Sequence, residues 1–414
     1  MSVLRDQGFK AFFAGGCVRD AFIGRIPKDL DVATDAPPET VEGLFERTVA
    51  TGKAFGVIRV LPPKAVSPLI KVSAEHAAVE VEVATFRAES DYHDGRHPGK
   101  VAWVSDREDA LRRDFTVNAL FYDLSPGTVI DHVGGIDDIQ NKILRTVGAP
   151  KERFSEDHLR LLRALRFSFD LGFPIEKATS KAIQEHVDLI KSVSRERIKD
   201  ELGKILQGPA PIDGLIQGDS WGFWDALFSS GTQRFQSYKP HQDFFKKQSV
   251  VDQWSLFHWM LNVGFPLTHG IMEKAKDTIA RLSHTKSEQK EILAFHRYFS
   301  DIEDWIQSPL AKCLIEWKKP TFRLFVLWLD QIFPANNMQS EPGNWARKMG
   351  IEIYKRNFEN KMPEPLLNGE DLKSLNLEGP QVGILLDEAY GQQLENGWTA
   401  KSQALQWLQH GRTK

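Results

Sequence analysis

Gly15-Gly16-Cys17-Val18-Arg19-Asp20, followed shortly by Lys28-Asp29-Leu30-Asp31, is the stretch that decides how this chain is read. Side chains alternate along an extended segment, so Asp29 and Asp31 point the same way. Two carboxylates held side by side repel each other unless cations lie between them, an arrangement that suits divalent metal. The glycine pair lets backbone approach a polyphosphate closely, and the Arg19 guanidinium can neutralise it. Together these residues point to metal-assisted transfer of a nucleotide.

Outward from that stretch, short apolar runs at 12–14, 57–61, 79–84, 119–122 and 129–130 alternate with turns and with a helical stretch at 38–47. The pattern predicts one α+β domain up to about residue 147, a small mixed sheet with helices. From Phe154 onward the signal changes. Apolar residues recur at helical spacing over 156–171, 180–190, 195–206 and 274–299, which predicts an all-α remainder. Residues 334–337 and 339–343 read as a break between helical blocks. Ten of the eleven tryptophans lie beyond residue 220 and are expected to pack helix against helix.

With 414 residues the chain has room for two to four domains. A net charge of −3 argues against a general polyanion binder and leaves room for one local basic face. Cys17 and Cys313 are the only cysteines, so there is no disulfide framework and no cysteine-based zinc site. No apolar run approaches the roughly 20 residues of a membrane helix. The glycine motif begins at residue 15, which leaves no space for a presequence ahead of it. The expectation is a cytoplasmic protein with no membrane contact.

Three further segments carry chemistry. The alternation around Glu82 puts Glu80, Glu82 and Ala84 on one strand face and the valines on the other. If that strand lies beside the one bearing Asp29 and Asp31, Glu80 or Glu82 supplies a third carboxylate. Residues 87–101 hold Tyr92, His93, Asp94, Arg96, His97, Pro98, Gly99 and Lys100 without periodicity. That predicts a mobile loop able to close over substrate. His93-Asp94 lacks further histidines at ligand spacing, so a metal-phosphohydrolase reading is set aside. Arg112-Arg113-Asp114 offers a forked donor for phosphate or ribose and an acceptor for a ribose hydroxyl. Equally, it reads as a helix start with Asp114 as cap.

The most specific segment is Glu156-Asp157-His158-Leu159-Arg160-Leu161-Leu162-Arg163-Ala164-Leu165-Arg166. On a helix Glu156 steadies Arg160 at i,i+4, and Arg160 stands beside Asp157 at i,i+3. A carboxylate only accepts and a guanidinium only donates. Cytosine and adenine each present an exocyclic amine next to a ring-nitrogen acceptor, which this pair complements. Uracil and guanine present a carbonyl next to a ring N–H, which it opposes. Arg163 and Arg166 continue the spiral toward a triphosphate.

Taken in order, these segments resemble the class II tRNA nucleotidyltransferases, the CCA-adding enzymes of the nucleotidyltransferase/poly(A) polymerase superfamily. Weaker likenesses are Ser194-Arg195-Glu196-Arg197-Ile198 with Glu201-Leu202, and Leu367-Asn368-Gly369-Glu370-Asp371-Leu372 with Gly379-Pro380-Gln381-Val382-Gly383. The resemblance implies a catalytic nucleotidyltransferase head (1–147), then an all-α neck (148–206), body (207–345) and tRNA-binding tail (346–414). It implies Mg²⁺ held by Asp29 and Asp31, with Glu82 as third carboxylate. Nucleotide contacts fall to Gly16, Arg19, Arg113, Asp114, Arg163 and Arg166. Asp157 and Arg160 would read the base, with Glu156 orienting Arg160. The implied partners are tRNA, CTP and ATP, with no stable protein partner.

Related enzymes add CCA, only CC, only A, or long poly(A) tails. The full-length 87–100 segment sets the CC-only branch last. Gly52-Lys53-Ala54-Phe55-Gly56-Val57 looks closer to the CCA type than to the bacterial poly(A) type. An A-adding enzyme shares every motif quoted, and a catalytically dead tRNA-binding protein is the non-enzymatic alternative.

Overall fold

The computed structural model describes residues 1–52, 56–62, 80–92, 95, 98–229, 235–262, 270–333, 340–358, 362–373 and 379–410. They fall into two compact units, Met1–Gln233 and Arg234–Lys414.

Among its described residues the first unit has nine strands: β1 (Ala11–Ala14), β2 (Leu30–Thr34), β3 (Thr48–Gly52), β4 (Val57–Val60), β5 (Val81–Thr85), β6 (Arg87–Tyr92), β7 (Pro98–Trp103), β8 (Leu120–Asp123) and β9 (Thr128–Asp131). Seven form one mixed sheet in the order β3-β4-β5-β2-β1-β8-β9, and β6 pairs only with β7. β2 and β5 run parallel, while the other neighbours in the large sheet are antiparallel. Both faces are apolar. Phe12, Ala14, Ala33, Phe86 and Phe121 form one buried cluster, and Ala11, Val32, Ile58 and Val83 form another. Successive residues of β1 and β2 thus enter opposite layers, as the two-residue repeat requires.

The segment 87–101, expected as an irregular loop, is instead the β6–β7 hairpin, paired from Arg87↔Trp103 to Tyr92↔Pro98. Its polar composition hides the strands, because backbone pairing needs no apolar alternation. His93, Asp94, Arg96 and His97 lie outside the described residues, as do Lys53, Ala54, Phe55 and 334–339.

Helical structure follows the sheet, through Pro150–Glu156, Arg160–Leu171, Lys177–His186, Arg195–Leu206 and Pro211–Ser220. The helix expected over 156–171 is broken. Glu156 ends one helix, Asp157 is extended (φ −137°, ψ 106°), and the next helix begins at Arg160. In an unbroken helix the His158 N–H would donate to the carbonyl four residues back. Here it donates to the Gly95 carbonyl at 3.1 Å, and Asp157 Oδ1 accepts the Leu159 N–H at 3.1 Å. The stretch 180–190 likewise splits, with a 3₁₀ turn at Val187–Ser192.

The described secondary structure of the second unit is helical, joined by turns and irregular segments. Val250–Asn262, Ile271–Ala280, Lys286–Ser300 and Pro320–Ile332 enclose an aromatic core. Trp259 packs 4.7 Å from Phe299 and 5.8 Å from Trp328, ring to ring, so these tryptophans do pack helix on helix. The single helix expected over 274–299 is two, separated where Thr285 and Glu288 form a reciprocal cap. Gly379–Asn396 and Lys401–His410 close over Leu367, Leu372, Leu385 and Leu408.

Candidate active site

β2 follows the glycine turn and sits between β1 and β5. Asp29 immediately precedes it and Asp31 is its second residue. The parallel register places Asp31 opposite Glu82 on β5, so the condition set for a third carboxylate is met on the backbone. Burial, then the nearby charges of Glu82 and Asp29, push the Asp31 carboxyl above the usual range, against the pull of Arg113. Asp31 is thus an under-neutralised hard oxygen donor with two further carboxylates in electrostatic reach. That is the chemistry a divalent cation relieves. Glu82 itself is half exposed, with Arg59 Nη2 at 3.8 Å. Among the described residues no three His, Cys, Asp or Glu side chains converge on a ready-made cage. Magnesium fits nonetheless, because it keeps several waters and takes one or two carboxylates plus substrate phosphates.

Gly15 stands at the mouth of the helix Gly16–Phe22 with φ 71° and ψ −126°. A Cβ there would meet Arg113 Nη1 at 2.8 Å. Glycine is therefore required twice, for its backbone angles and for the guanidinium beside it. Arg113 is held by Asp109 (Nε and Nη2 to Oδ2, 3.2 and 3.1 Å) and donates from Nη1 to the Asn118 carbonyl at 3.1 Å. Arg19 is nearly buried. It donates to Asn118 Oδ1 at 2.5 Å and to Asp20 Oδ1 at 2.7 and 2.8 Å.

From Asn118 the polar chain runs on. Its amide donates to Asp114 Oδ1 at 3.1 Å, and Arg163 donates twice to Asp114 Oδ2 at 2.6 and 2.9 Å. Although burial opposes ionisation, Arg163 and Asn118 hold the Asp114 carboxyl down to about 2. Asp114 is therefore no helix cap but a largely buried anion, its side chain 11% exposed. Arg166 Nε donates to Glu201 Oε2 at 2.6 Å, and Arg163 Nη1 lies 3.6 Å from Glu201 Oε1. Glu201 is almost fully buried on the helix Arg195–Leu206 and stays ionised through these arginines.

Glu156 and Arg160 meet across the helix break, Nη1 donating to Oε2 at 2.6 Å. Arg160 also donates to the carbonyls of Arg153 and Arg112 at 3.1 and 2.9 Å. Asp157 does not pair with Arg160 side chain to side chain. Its carboxylate is held by Arg197, with Nη2 at 2.8 Å from Oδ2. Each member of the expected pair is thus fixed by a different neighbour.

One open cavity of about 1230 Å³ is lined by Gly16, Arg19, Asp29, Asp31, Arg113, Asp114, Asp157, Arg160, Arg163 and Arg166. Glu82 and Glu156 stand outside that lining. Asn118, Arg197 and Glu201 were not singled out from the sequence. Asn118 and Glu201 link the chain of charges, and Arg197 anchors Asp157. All three sit inside quoted motifs, but a one-dimensional reading gives no sign of which partner they meet.

Residues 11–145 match the poly A polymerase head domain, and 172–230 match the probable RNA and SrmB-binding site of polymerase A. A CCA-adding enzyme of Bacillus pumilus is 44% identical over 209 residues, 50% of this chain and 48% of that protein. The chain thus spans about half the length of that relative. A CCA-adding enzyme of Levilactobacillus brevis is 31% identical over 392 residues, 94% of this chain and 90% of that one. The Bacillus stearothermophilus CCA-adding enzyme in complex with CTP superposes with a TM-score of 0.68 at 26% identity, covering 100% of this chain and 96% of its own. A Thermotoga maritima CCA-adding enzyme complexed with tRNA shares the fold, with a TM-score of 0.68 at 18% identity over 99% of this chain and 93% of its own. With a poly A polymerase head, a helical remainder and near full-length likeness to such a relative, the chain belongs to the CCA-adding enzyme family of nucleotidyltransferases.

Proposed function

We propose that this protein adds C, C and A to the 3′ end of tRNA from CTP and ATP, without a nucleic-acid template. The observation that carries this reading is a single cavity lined by both Asp29–Asp31 and Asp157–Arg160. One pair is suited to the reacting phosphate and the other to the base edge. Family membership supports the same assignment.

In this mechanism the primer 3′-oxygen attacks the α-phosphorus, the bond to the β-phosphate oxygen breaks, and pyrophosphate leaves. Asp29 and Asp31, with Glu82 on the adjoining strand, would hold Mg²⁺, which when bound lowers the pKa of the primer hydroxyl and offsets charge on the leaving group. Gly16 brings backbone close to the phosphates, while Arg19, Arg113, Arg163 and Arg166 contribute positive charge around them. Asp114 keeps Arg163 in place and serves as the acceptor near the ribose. Asp157 accepts the exocyclic amine of C or A, and Arg160, locked by Glu156, donates to the ring nitrogen. U and G meet acceptor with acceptor and donor with donor.

The head at 1–147 and neck at 148–206 then form the catalytic part, and the body at 207–345 and tail at 346–414 bear on tRNA. Action in the cytoplasm is part of the same reading; among the described residues no helix is long and apolar enough to cross a membrane.

The test is incorporation of each labelled NTP into tRNA ending at the discriminator base, at C and at CC, with Mg²⁺. CTP should enter the first two substrates and ATP the third. Incorporation of ATP alone would make this an A-adding enzyme, and runs of A a poly(A) polymerase. Binding of tRNA without any incorporation would make it a non-enzymatic binder. UTP or GTP entering as readily as CTP would overturn the base-reading roles.

A further inference from the structure

Phe167 sits inside the helix Arg160–Leu171, one residue past Arg166. Its ring is 93% buried, its edge packs on Phe115 at 5.7 Å between centroids, and it lines the cavity. Three guanidinium carbons surround that one ring: Arg166 at 3.9 Å from the centroid, Arg163 at 5.1 Å and Arg19 at 5.2 Å. Arg163 and Arg166 come from the same helix. Arg19 comes from the helix Gly16–Phe22, on the far side of the sequence and next to the catalytic carboxylates.

The same arginines are also held by acids: Asp20 pairs with Arg19, Asp114 with Arg163 and Asp170 with Arg166, while Glu201 bridges Arg163 and Arg166. Glu201 ties Arg163 to Arg166, but among the described residues no ion pair ties Arg19 to either, and like charges repel. The ring face carries the negative end of a quadrupole and attracts all three toward one point. An aliphatic side chain would fill the same volume without that attraction.

We propose that Phe167 is a positioning residue for the nucleotide, gathering Arg19, Arg163 and Arg166 into one cationic seat for the triphosphate. This rests on the reading that the cavity receives a nucleoside triphosphate. The ring touches no reacting atom; it acts through the three arginines. Base choice lies elsewhere, with Asp157 and Arg160. The consequence is that loss of the aromatic face weakens CTP and ATP equally.

The experiment compares Phe167→Leu with 4-fluoro-, 3,5-difluoro- and pentafluorophenylalanine placed at position 167 alone. Fluorination leaves ring size nearly constant while draining the negative face. The readouts are KM and kcat for CTP and ATP, binding of inorganic pyrophosphate, preference for C and A over U and G, and melting temperature. Phe167→Leu should raise both KM values about tenfold, leave kcat within about threefold, and weaken pyrophosphate in parallel. The fluorinated series should climb stepwise between wild type and leucine, with base preference unchanged. Phe223→Leu, a buried phenylalanine of the same unit, controls for lost packing. It should lower the melting temperature without moving KM.

A flat response of both KM and pyrophosphate binding to fluorination overturns the role of Phe167. So does a fluorine series that tracks melting temperature and not affinity. If wild-type protein incorporates no nucleotide yet pyrophosphate binding falls stepwise with fluorine, the cationic seat stands and the enzymatic reading fails.

Discussion

Asp157 is gripped by Arg197 from forty residues away, with Nη2 at 2.8 Å from Oδ2 and 3.1 Å from Oδ1. The base-reading role proposed for Asp157 requires its carboxylate to keep a fixed direction. The guanidinium supplies it from the helix Arg195–Leu206. Arg197→Met should therefore relax base choice, raising UTP or GTP incorporation relative to CTP at least tenfold. Both side chains are about three-quarters buried, with 24% and 22% exposed, so removing Arg197 leaves the Asp157 carboxylate partly desolvated without its partner and should also lower the melting temperature. Competition assays with paired nucleotides check this, and unchanged selectivity with a lowered melting temperature would assign Arg197 to folding alone.

Asp31 pulls function and stability in opposite directions. Its folded-state carboxyl titrates above the ordinary range, because of burial first and then Glu82 and Asp29. A carboxyl whose pKa rises on folding binds its proton more tightly in the folded state. Its ionised form therefore costs stability once the pH exceeds the unfolded value. Asp31→Asn removes that cost. At pH 7 without divalent ions the variant should melt above wild type, while incorporation falls at least a thousandfold. Added Mg²⁺ should raise the wild-type melting temperature and leave Asp31→Asn unmoved. Asp29→Ala should likewise abolish incorporation with tRNA affinity retained, and turnover in either variant would count against metal binding there.

Gly15→Ala tests the turn at the mouth of the site. The added methyl meets both a backbone at φ 71° and Arg113 Nη1 at 2.8 Å. Strain of this kind costs about 1–3 kcal/mol. The expected result is a lowered melting temperature together with a rise in nucleotide KM, as Arg113 is displaced. A variant with normal KM would show that Arg113 has room to move without consequence.

The second unit should be sensitive to acid. His258 is buried, with Nε2 at 3.0 Å from His284 Nε2 and Nδ1 at 3.1 Å from Thr278 Oγ1, and His284 Nδ1 lies 3.5 Å from Glu288. Burial and the neighbouring histidines lower His258 well below its ordinary value, and burial lowers His296 to about 4. The unfolded chain takes up these protons from about pH 6.5 downward, while the fold holds His296 neutral until about pH 4 and keeps His258 neutral well below its ordinary range. Their contribution is whole above pH 6.5 and is lost as pH falls through that window, by about 1.4 kcal/mol per histidine per pH unit. Thermal unfolding followed from pH 7 to pH 5 should show the loss. His296→Phe should flatten the slope, and an unchanged slope in that variant would acquit His296.

Much of the site was legible because its residues fall within short windows. Gly15-Gly16 and Asp29-Leu30-Asp31 announce a turn and a strand start through local geometry alone. The Val81–Thr85 alternation gives the face on which Glu82 lies. Arg197, Asn118 and Glu201 escaped because their meaning lies in partners 35 to 99 residues away: Asp157, Arg19 and the arginines of Arg160–Leu171. The helix break at Asp157 escaped for a related reason. Every residue from 156 to 166 tolerates a helix, and it is the Gly95 carbonyl, arriving between β6 and β7, that offers the His158 N–H another acceptor.

By itself, then, the amino-acid order determined the α+β start, the helical remainder and the chemistry on offer, since strand and helix periodicities and residue types are local properties. Tertiary structure alone decided that Asp31 and Glu82 face each other across β2 and β5, that Asp157 answers to Arg197 and not to Arg160, and that three arginines share one phenylalanine ring. Charge–charge and cation–ring energies depend on separation in space, and no spacing along the chain fixes that separation.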